Sequence, residues 1–194
     1  MSGEAADGAE GSENADDALV DVEMLHANPT NTSASGELLV HTTPESYLDL
    51  VSALKEDGYG FLVDLCVVDY LTHPGRIDLP VGVNGERFEV VTHLLDPATR
   101  RRVRVRVQVP AETAPTEDAD NASPLGPSVP SLFDHFPGSE AMEREAFDLF
   151  GITFENHPDM TRILMPENWE GHPLRKDYGI GSIPVQFKSS NAGR

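Results

Sequence analysis

The sequence predicts an α+β fold, a small mixed sheet with packed helices that is followed by an extended, irregular C-terminal tail. Three observations carry this prediction. Valines alternate with polar residues through RVRVRVQV at 102–109, which is the two-residue period of a strand. Apolar residues recur with helical spacing at 47–54. Between residues 151 and 178, prolines interrupt a stretch that has neither period.

The first 36 residues are acidic and show no apolar period. The 194-residue chain has a net charge of −19, and residues 1–54 contain eleven acidic residues but no lysine or arginine. This composition is typical of a solvated segment, so we predict a disordered leader over residues 1–36 rather than a docking element. The negative charge also argues against a nucleic-acid partner, because phosphates would be repelled.

The cellular setting expected from the sequence is a reducing one. The chain has no run of 18 apolar residues that could cross a bilayer. Its start lacks the basic and apolar regions of a secretory signal. Cys66 is the single cysteine and cannot form an internal disulfide, which fits the cytoplasm.

Residues 37–150 are predicted to form the folded domain, which begins with a helix. Thr43 is the expected cap, Pro44 suits the first helical position, and Gly58 suits the end. One apolar stripe is formed by Tyr47, Leu50, Val51 and Leu54.

Three strands are predicted after this helix. The run YGFLVDLCVVDYL is rich in β-branched and aromatic residues, and ERFEVVTHLL and RRRVRVRVQVP read as a hairpin around a turn at 96–99. Asp64 and Asp69 interrupt the first strand, so each lies either at the sheet surface or in a hydrogen bond.

One face of the last strand carries Arg102, Arg104 and Arg106, opposite the valines. We expect these arginines to pair with neighbours such as Glu86 and Glu89 across the sheet. The alternative is an acidic ligand or partner.

The remainder of the domain is predicted to be a solvent-exposed low-complexity loop at 111–127 and two helical segments. The first begins in SVPSLFDHF at 128–136, and the second runs from a cap at Ser139 to a stop at Gly151. Arg144 and Asp148 lie four residues apart in the second helix and are expected to pair.

The segment 151–194 contains GHPLRKDY at 171–178, whose density of reactive side chains is that of an active site. A metal site is not favoured, since His157 and His172 are fifteen residues apart and each precedes a proline. The sequence also has no Gly-x-Ser-x-Gly elbow and no phosphate-binding loop. We therefore predict no catalytic, cofactor-binding or metal-binding residue. A free-standing enzyme using His172, Arg175 and Asp177 as acid, anion binder and base stays as the alternative.

The same segment is too apolar for a free linker, so we predict that residues 151–194 dock on a partner subunit. Arginines beside large apolar groups are typical of stable interfaces. An internal network that anchors the tail is the alternative, and the two are compatible. The predicted contact residues are Glu143, Arg144, Glu145, Asp148, Arg162, Trp169, His172, Leu174, Arg175, Lys176, Asp177 and Tyr178.

Four motifs together resemble the C-terminal signature of the 30-kDa subunit family of respiratory complex I, which in bacteria is the C-type subunit of NADH-quinone oxidoreductase. They are MEREAFDLFGITF, HPD, RIL and GHPLRKDY, and the resemblance covers residues 138–187. The chain departs from the family pattern at Met142, where a Trp is frequent, at Asn156, where Gly is frequent, and at Gly179, where Pro is frequent.

The resemblance implies a non-catalytic structural subunit in the peripheral arm of a proton-translocating NADH:quinone oxidoreductase, where it scaffolds the quinone-reducing module. NADH, FMN, iron–sulfur clusters and quinone would belong to other subunits. One cysteine agrees with this, because a cluster needs about four thiolates. The implied partners are the large 49-kDa-type subunit and neighbouring iron–sulfur subunits, on the cytoplasmic side of the cell membrane as a peripheral component. A related membrane-bound hydrogenase or a ferredoxin- or F420H2-linked complex is the alternative.

Overall fold

A computed structural model describes residues 23–73, 76, 78–111 and 126–179. The predicted leader up to residue 22, most of the predicted loop 111–127 and the end of the tail lie outside these residues. In chain order the elements are β1 (Met24–Leu25), β2 (Asn28–Thr32), β3 (Leu38–Thr42), α1 (Tyr47–Glu56), β4 (Phe61–Asp69), β5 (Phe88–Leu95), β6 (Arg102–Val109), β7 (Ser128–Pro130), a 3-10 turn (Pro137–Ser139), α2 (Glu140–Phe150) and β8 (Thr153–Glu155).

Six strands form one sheet in the order β1-β2-β3-β6-β5-β4. The central pair β3 and β6 is parallel and the other neighbours are antiparallel, so the predicted mixed sheet is confirmed. A parallel pair needs a long connection. Here α1 and the antiparallel strands β4 and β5 supply it. The short strands β7 and β8 pair separately, in parallel.

The core lies on one face of the sheet, as the alternation in β6 predicts. All four β6 valines are fully buried, and the predicted stripe of α1 packs with them in the same cluster. The cluster continues through Val129 and Ala146 to Ile152 and Phe154. The packed domain therefore extends beyond the predicted boundary at residue 150, because the β7–β8 pair carries core side chains.

Helix α1 ends as predicted but begins later. Gly58 has a φ of +101°, and Tyr59 N donates to Leu54 O at 3.0 Å, which is the Schellman arrangement of a glycine stop. The expected cap at Thr43 is wrong. Ser46 N and Tyr47 N donate back to the carbonyls of Thr43 and Pro44, so a turn precedes the helix.

The prediction of disorder is wrong for residues 24–32, which form the edge hairpin β1–β2. Its turn is His26-Ala27, with φ values of +48° and +62°. Two positive φ values are those of a type I′ turn, which usually carries Asn-Gly. The hairpin therefore lacks its usual sequence signal, and β2 is polar in composition. Pairing with β3 holds it in the sheet.

Residues 128–136 form strand β7 and a turn instead of the predicted helix. Ser131 N donates to Glu155 O at 2.9 Å and so continues the pairing with β8. Leu132 N donates to the Glu143 carboxylate at 2.7 Å. Burial of Val129, Leu132 and Phe136 gives the apolar spacing that reads as helical in the sequence.

The polar face of the sheet holds the arginine pairing that the sequence favours. Arg106 Nε donates to Glu89 Oε1 at 2.7 Å, and both side chains are almost completely buried. Gln108 Nε2 and Arg76 Nη2 donate to the other oxygen of Glu89. Arg104 pairs with Glu37 at 2.6 Å. Pairing with Glu89 is therefore confirmed, and the buried charges are compensated.

His41 is buried on this face and is held in the neutral form. Its Nε2 lies 2.9 Å from Asn31 Oδ1, while Asn31 Nδ2 donates to Asp78 O at 2.9 Å. The amide oxygen must accept, so Nε2 carries the proton. Burial, followed by the nearby Arg106 charge, lowers the pKa of His41 to about 4.

We expect the free energy of unfolding to fall between pH 6.5 and about 4 because of His41. The ordinary pKa of 6.5 applies to the unfolded chain, so in this window the unfolded chain binds the proton and the folded chain does not. The loss reaches up to ~3 kcal/mol and levels off below the folded pKa. Urea denaturation at stepped pH measures it. His41→Gln is expected to remove this part of the slope, and an unchanged slope would contradict the assignment.

Candidate functional site

The C-terminal end of α2 is the point at which the irregular C-terminal segment joins the domain. The last carbonyls of a helix have no intrahelical donor and carry the negative end of the helix dipole. In this helix the GHPLRKDY segment supplies the donors, three of them on the basic side chains of His172 and Arg175. The contacts are His172 Nδ1 to Asp148 O (3.0 Å), Leu174 N to Leu149 O (3.0 Å), Arg175 Nε to Phe150 O (2.5 Å) and Arg175 Nη2 to Gly151 O (3.3 Å).

Gly151 makes this close approach possible. It has a φ of +72°, and a Cβ at this position would lie 2.6 Å from the His172 ring and 2.7 Å from Arg175 Nη2. The predicted stop at Gly151 is confirmed. Its role exceeds that of a helix stop, because the missing side chain leaves room for the capping segment.

The Asp148 carboxylate binds an earlier part of the C-terminal segment, residues 162–165. One oxygen accepts three successive main-chain N–H groups, from Ile163 (3.1 Å), Leu164 (2.7 Å) and Met165 (2.8 Å). The other oxygen accepts Arg162 Nη1 at 2.6 Å. Burial alone would raise the pKa of Asp148, but these donors outweigh it and lower the pKa. Asp148 is therefore a buried carboxylate around which residues 162–165 fold.

The predicted pair Arg144–Asp148 is wrong, because each residue binds the C-terminal segment instead. Arg144 donates to Thr161 Oγ1 at 2.9 Å and to the carbonyls of Thr161 and Arg162. Arg162 reaches past Asp148 to the carbonyls of Trp169 (3.1 Å) and Gly171 (3.0 Å). Two arginines thus tie residues 161–171 to α2.

Glu143 lies inside the chain. It is fully buried, and its carboxylate accepts Ser131 Oγ at 2.6 Å and Leu132 N at 2.7 Å. Burial raises the pKa of Glu143 despite these donors. Its contacts are therefore internal and fix the segment after β7. On the same helix Glu145 is exposed.

The far end of GHPLRKDY is anchored at the end of β4. Lys176 N donates to Asp69 Oδ2 at 2.9 Å. Arg87 binds both Asp69 oxygens, at 3.2 and 3.1 Å, and also Asp177 at 2.9 Å. Burial opposes ionisation, but the Arg87 and main-chain hydrogen bonds prevail and lower the pKa of Asp69. Sequence reasoning missed Asp69 and Arg87 as site residues, although it did require a partner for a buried Asp69.

The remaining predicted residues pack along this segment. Trp169 and Tyr178 are half-buried, and the Tyr178 ring lies against Gly171, where a Cβ would be 2.9 Å from it. Gly171 has a φ of +79°.

An apolar patch, defined as Ile163, Leu164 and Leu174, is exposed beside these contacts. The three side chains are 42%, 62% and 47% exposed. Their main chains lie close together at the end of α2, because Ile163 N and Leu164 N bind the Asp148 carboxylate while Leu174 N binds the adjacent Leu149 carbonyl. Clustered apolar side chains beside ordered charges are a feature of protein interfaces.

The reactive side chains do not form an acid–base constellation. His172 and Arg175 donate to helix carbonyls, and Asp177 pairs with Arg87. Burial lowers the pKa of His172. Four surface cavities lie along the sheet and its loops, and none of these four is lined by the three residues.

The described ranges contain neither a membrane span nor a metal cluster. Within residues 23–73, 76, 78–111 and 126–179, no helix has the length and apolar character needed to cross a membrane. No three His, Cys, Asp or Glu side chains in those ranges are grouped as metal ligands.

Solved structures share this architecture. A trypsin-resistant fragment (1-134) of Nqo5 aligns with a TM-score of 0.53 and 32% identity, covering 68% of this chain and 89% of the fragment. A chain of the membrane-bound sulfane sulfur reductase, an archaeal respiratory membrane complex, aligns with a TM-score of 0.57 over 79% of this chain and 78% of that chain. At 22% identity the second likeness concerns the fold alone.

Sequence relatives agree with the first of these. The C-type subunit of NADH-quinone oxidoreductase from Roseiflexus castenholzii is 46% identical over 155 residues, covering 78% of this chain and 75% of the relative. Its counterpart from Bordetella petrii is 40% identical over 172 residues, covering 84% and 77%. The family profile described as "Respiratory-chain NADH dehydrogenase, 30 Kd subunit" matches residues 40–183. The class is therefore that of NADH-quinone oxidoreductase subunits. Within it, the chain belongs to the 30-kDa subunit family of the respiratory-chain NADH dehydrogenase, as the sequence motifs predict.

Proposed function

We propose that this chain is a non-catalytic structural subunit in the peripheral arm of a proton-translocating NADH:quinone oxidoreductase, where it scaffolds the quinone-reducing module. The observation that carries the proposal is the division of labour within residues 161–178. Polar and charged groups of this segment bind α2 and β4, whereas the apolar patch faces outward. Such a segment is built to present a surface.

We propose that a neighbouring subunit covers the apolar patch and that this neighbour is the large 49-kDa-type subunit, with iron–sulfur subunits nearby. Docking would remove Leu164, the most exposed member of the patch, from water. Burying an aliphatic side chain contributes about 1.5–3 kcal/mol. Ordered arginines at the rim of such an interface contribute more to the specificity and orientation of docking than to its affinity.

We assign no cofactor to this chain, and place NADH, FMN, iron–sulfur clusters and quinone in other subunits of a complex at the cytoplasmic side of the membrane. The single Cys66 supports this for clusters, which need about four thiolates. The proposal that this chain performs no acid–base chemistry is supported by the internal contacts that His172, Arg175 and Asp177 make.

Leu164→Asp tests the docking surface. A charge placed at a desolvated interface is expected to weaken assembly by about 2 kcal/mol or more, which is ~30-fold. Leu164 is 62% exposed, so the isolated fold should tolerate the change. The measurement is recovery of partner subunits with the tagged full chain under mild detergent. The identity of the electron-input subunits recovered also separates complex I from a hydrogenase-type or ferredoxin-linked complex.

Val81→Asp is the matched control. Val81 is 65% exposed and lies in the loop between β4 and β5, outside the apolar patch. The Val81→Asp substitution introduces the same charge at similar exposure and should leave assembly unchanged. Wild-type assembly of Leu164→Asp would contradict the proposed surface. Turnover by the purified chain that is abolished by Arg175→Ala would instead support the free-standing enzyme.

A further inference from the structure

Four arginines surround one open end of the sheet, in a chain whose net charge is −19. We define this basic cluster as Arg100, Arg101, Arg102 and Arg104. They line a surface cavity of about 720 Å³ together with residues 35–38, Tyr59 and His93. The cluster lies at the β5–β6 turn and is separate from the contacts of α2.

The basic cluster keeps an excess of positive charge. Arg104 pairs with Glu37 at 2.6 Å and Arg101 pairs with Asp96 at 3.2 Å. Within the part of the chain that the structure describes, the exposed Arg100 and Arg102 side chains form no ion pair. Four positive and two negative charges leave a net charge of +2 before His93 is counted.

The backbone at Arg100 has a conformation that is unusual for an arginine. Arg100 has a φ of +62°, a left-handed conformation that favours glycine or asparagine. The β5–β6 turn therefore holds a cation where glycine would fit with less strain.

The chain enters the edge strand β1 from this end of the sheet. Met24 pairs with Pro29, Leu25 pairs with Asn28 and Glu23 O accepts Thr30 N, so the chain enters β1 from the end of β2 that carries Thr32. Thr32 pairs with Leu38, which in turn pairs with Val103 between two members of the cluster. Three strand spacings, or about 14 Å, separate the edge strand β1 from β6 across the sheet.

Residues 1–22 are complementary to the basic cluster in charge. They contain seven acidic residues and no lysine or arginine. An extended chain of that length spans up to ~70 Å, so reach is not limiting. A tethered segment meets a nearby surface at an effective concentration on the order of millimolar. A weak electrostatic contact is therefore sufficient.

We propose that residues 1–22 dock on the basic cluster of their own chain as an acidic occupant of the cavity. This assigns an intramolecular role to the segment that composition alone describes as a solvated leader. It also makes the cluster unavailable to other acidic peptides unless they displace the segment.

Paramagnetic relaxation in the full chain tests this docking. Cys66 is the single cysteine, so Cys66→Ser followed by Ser12→Cys provides one site for a nitroxide. At low ionic strength we expect selective broadening of the amides at Arg100, Arg102 and the cavity residues 35–38. At 1 M salt, where the Debye length is ~3 Å, the broadening should disappear.

Two matched sets of variants complete the test. Converting the seven acidic residues of 1–22 to their amides should abolish the broadening. Arg102→Ser should lower the docked-to-free ratio about two- to fivefold, the usual effect of one exposed ion pair. Lys176→Ser removes one exposed charge elsewhere and should not.

Three results would overturn the proposal. They are broadening that survives neutralisation of the seven acidic residues, broadening at a different surface, and broadening seen only between spin-labelled and isotope-labelled copies in a mixed sample. If Arg102→Ser fails to fold, the salt and neutralisation measurements still decide between docking and its absence.

Discussion

Replacing Asp148 with asparagine is expected to lower the free energy of unfolding by about 3–5 kcal/mol. The carboxylate accepts three main-chain N–H groups and pairs with Arg162, and its side chain is completely buried. An amide has one acceptor oxygen, so either the N–H groups or the Arg162 guanidinium would face an N–H donor. Urea denaturation of the full chain measures the loss.

Acid titration makes this prediction specific to the charge. The pKa of Asp148 is lowered in the folded chain, so the wild-type advantage is present above the ordinary value of about 4. It is lost as the pH falls through the folded pKa, because the carboxyl then becomes neutral like the amide. The difference in the free energy of unfolding between wild type and Asp148→Asn should therefore become smaller as the pH falls. Glu145→Gln on the exposed side of α2 should change stability by less than ~0.5 kcal/mol.

Replacing Gly151 with alanine is expected to cost about 2–5 kcal/mol and to weaken assembly as well. A left-handed alanine contributes ~1–2 kcal/mol of strain. Overpacking adds about 1–3 kcal/mol. Its Cβ would meet His172 and Arg175 at 2.6 and 2.7 Å. The capping segment must move, and the apolar patch moves with it.

Gly138→Ala is the control for this substitution. Gly138 lies in the 3-10 turn before α2, and a Cβ there would have no heavy atom within 4 Å. Comparison of the two variants by thermal denaturation and by partner recovery separates the general effect of alanine from the effect at the helix end. Equal stability of the two would refute the role given to Gly151.

Much of the domain could be predicted because local and tertiary preferences agree. The alternation in β6 gives both its strand and its buried face, and the apolar stripe gives α1. Gly58 and Gly151 end their helices with positive φ, as glycine stops do. Each of these features is encoded within a dozen residues.

The errors lie where long-range pairing decides the structure. Strand β2 is polar, and it is ordered by its hydrogen bonds to β3 rather than by an apolar face. Residues 128–136 have a helical apolar spacing, yet pairing with β8 and a bond to Glu143 impose another backbone. No local signal distinguishes these outcomes.

For the candidate site, the sequence identified the segment but not its internal geometry. Arg162 and Asp148 were expected as contact residues, and their mutual ion pair was not expected. Asp69 and Arg87 were missed, because Asp69 meets Lys176 across 107 positions of the chain. Charge content was visible in the sequence, whereas the partner of each charge depends on the folded backbone.

That contact between Asp69 and Lys176 also sets an order of events during protein synthesis. Domains begin to fold while the ribosome is still extending the chain. The sheet from β1 to β6 is complete in sequence by Val109, long before His172, Arg175 and Lys176 have been added. The carbonyls at the end of α2 and the Asp69 carboxylate therefore lack these partners until residues 172–176 have been synthesised. A chain released early would contain the sheet without a seated segment, so only finished copies offer the native surface to the assembly.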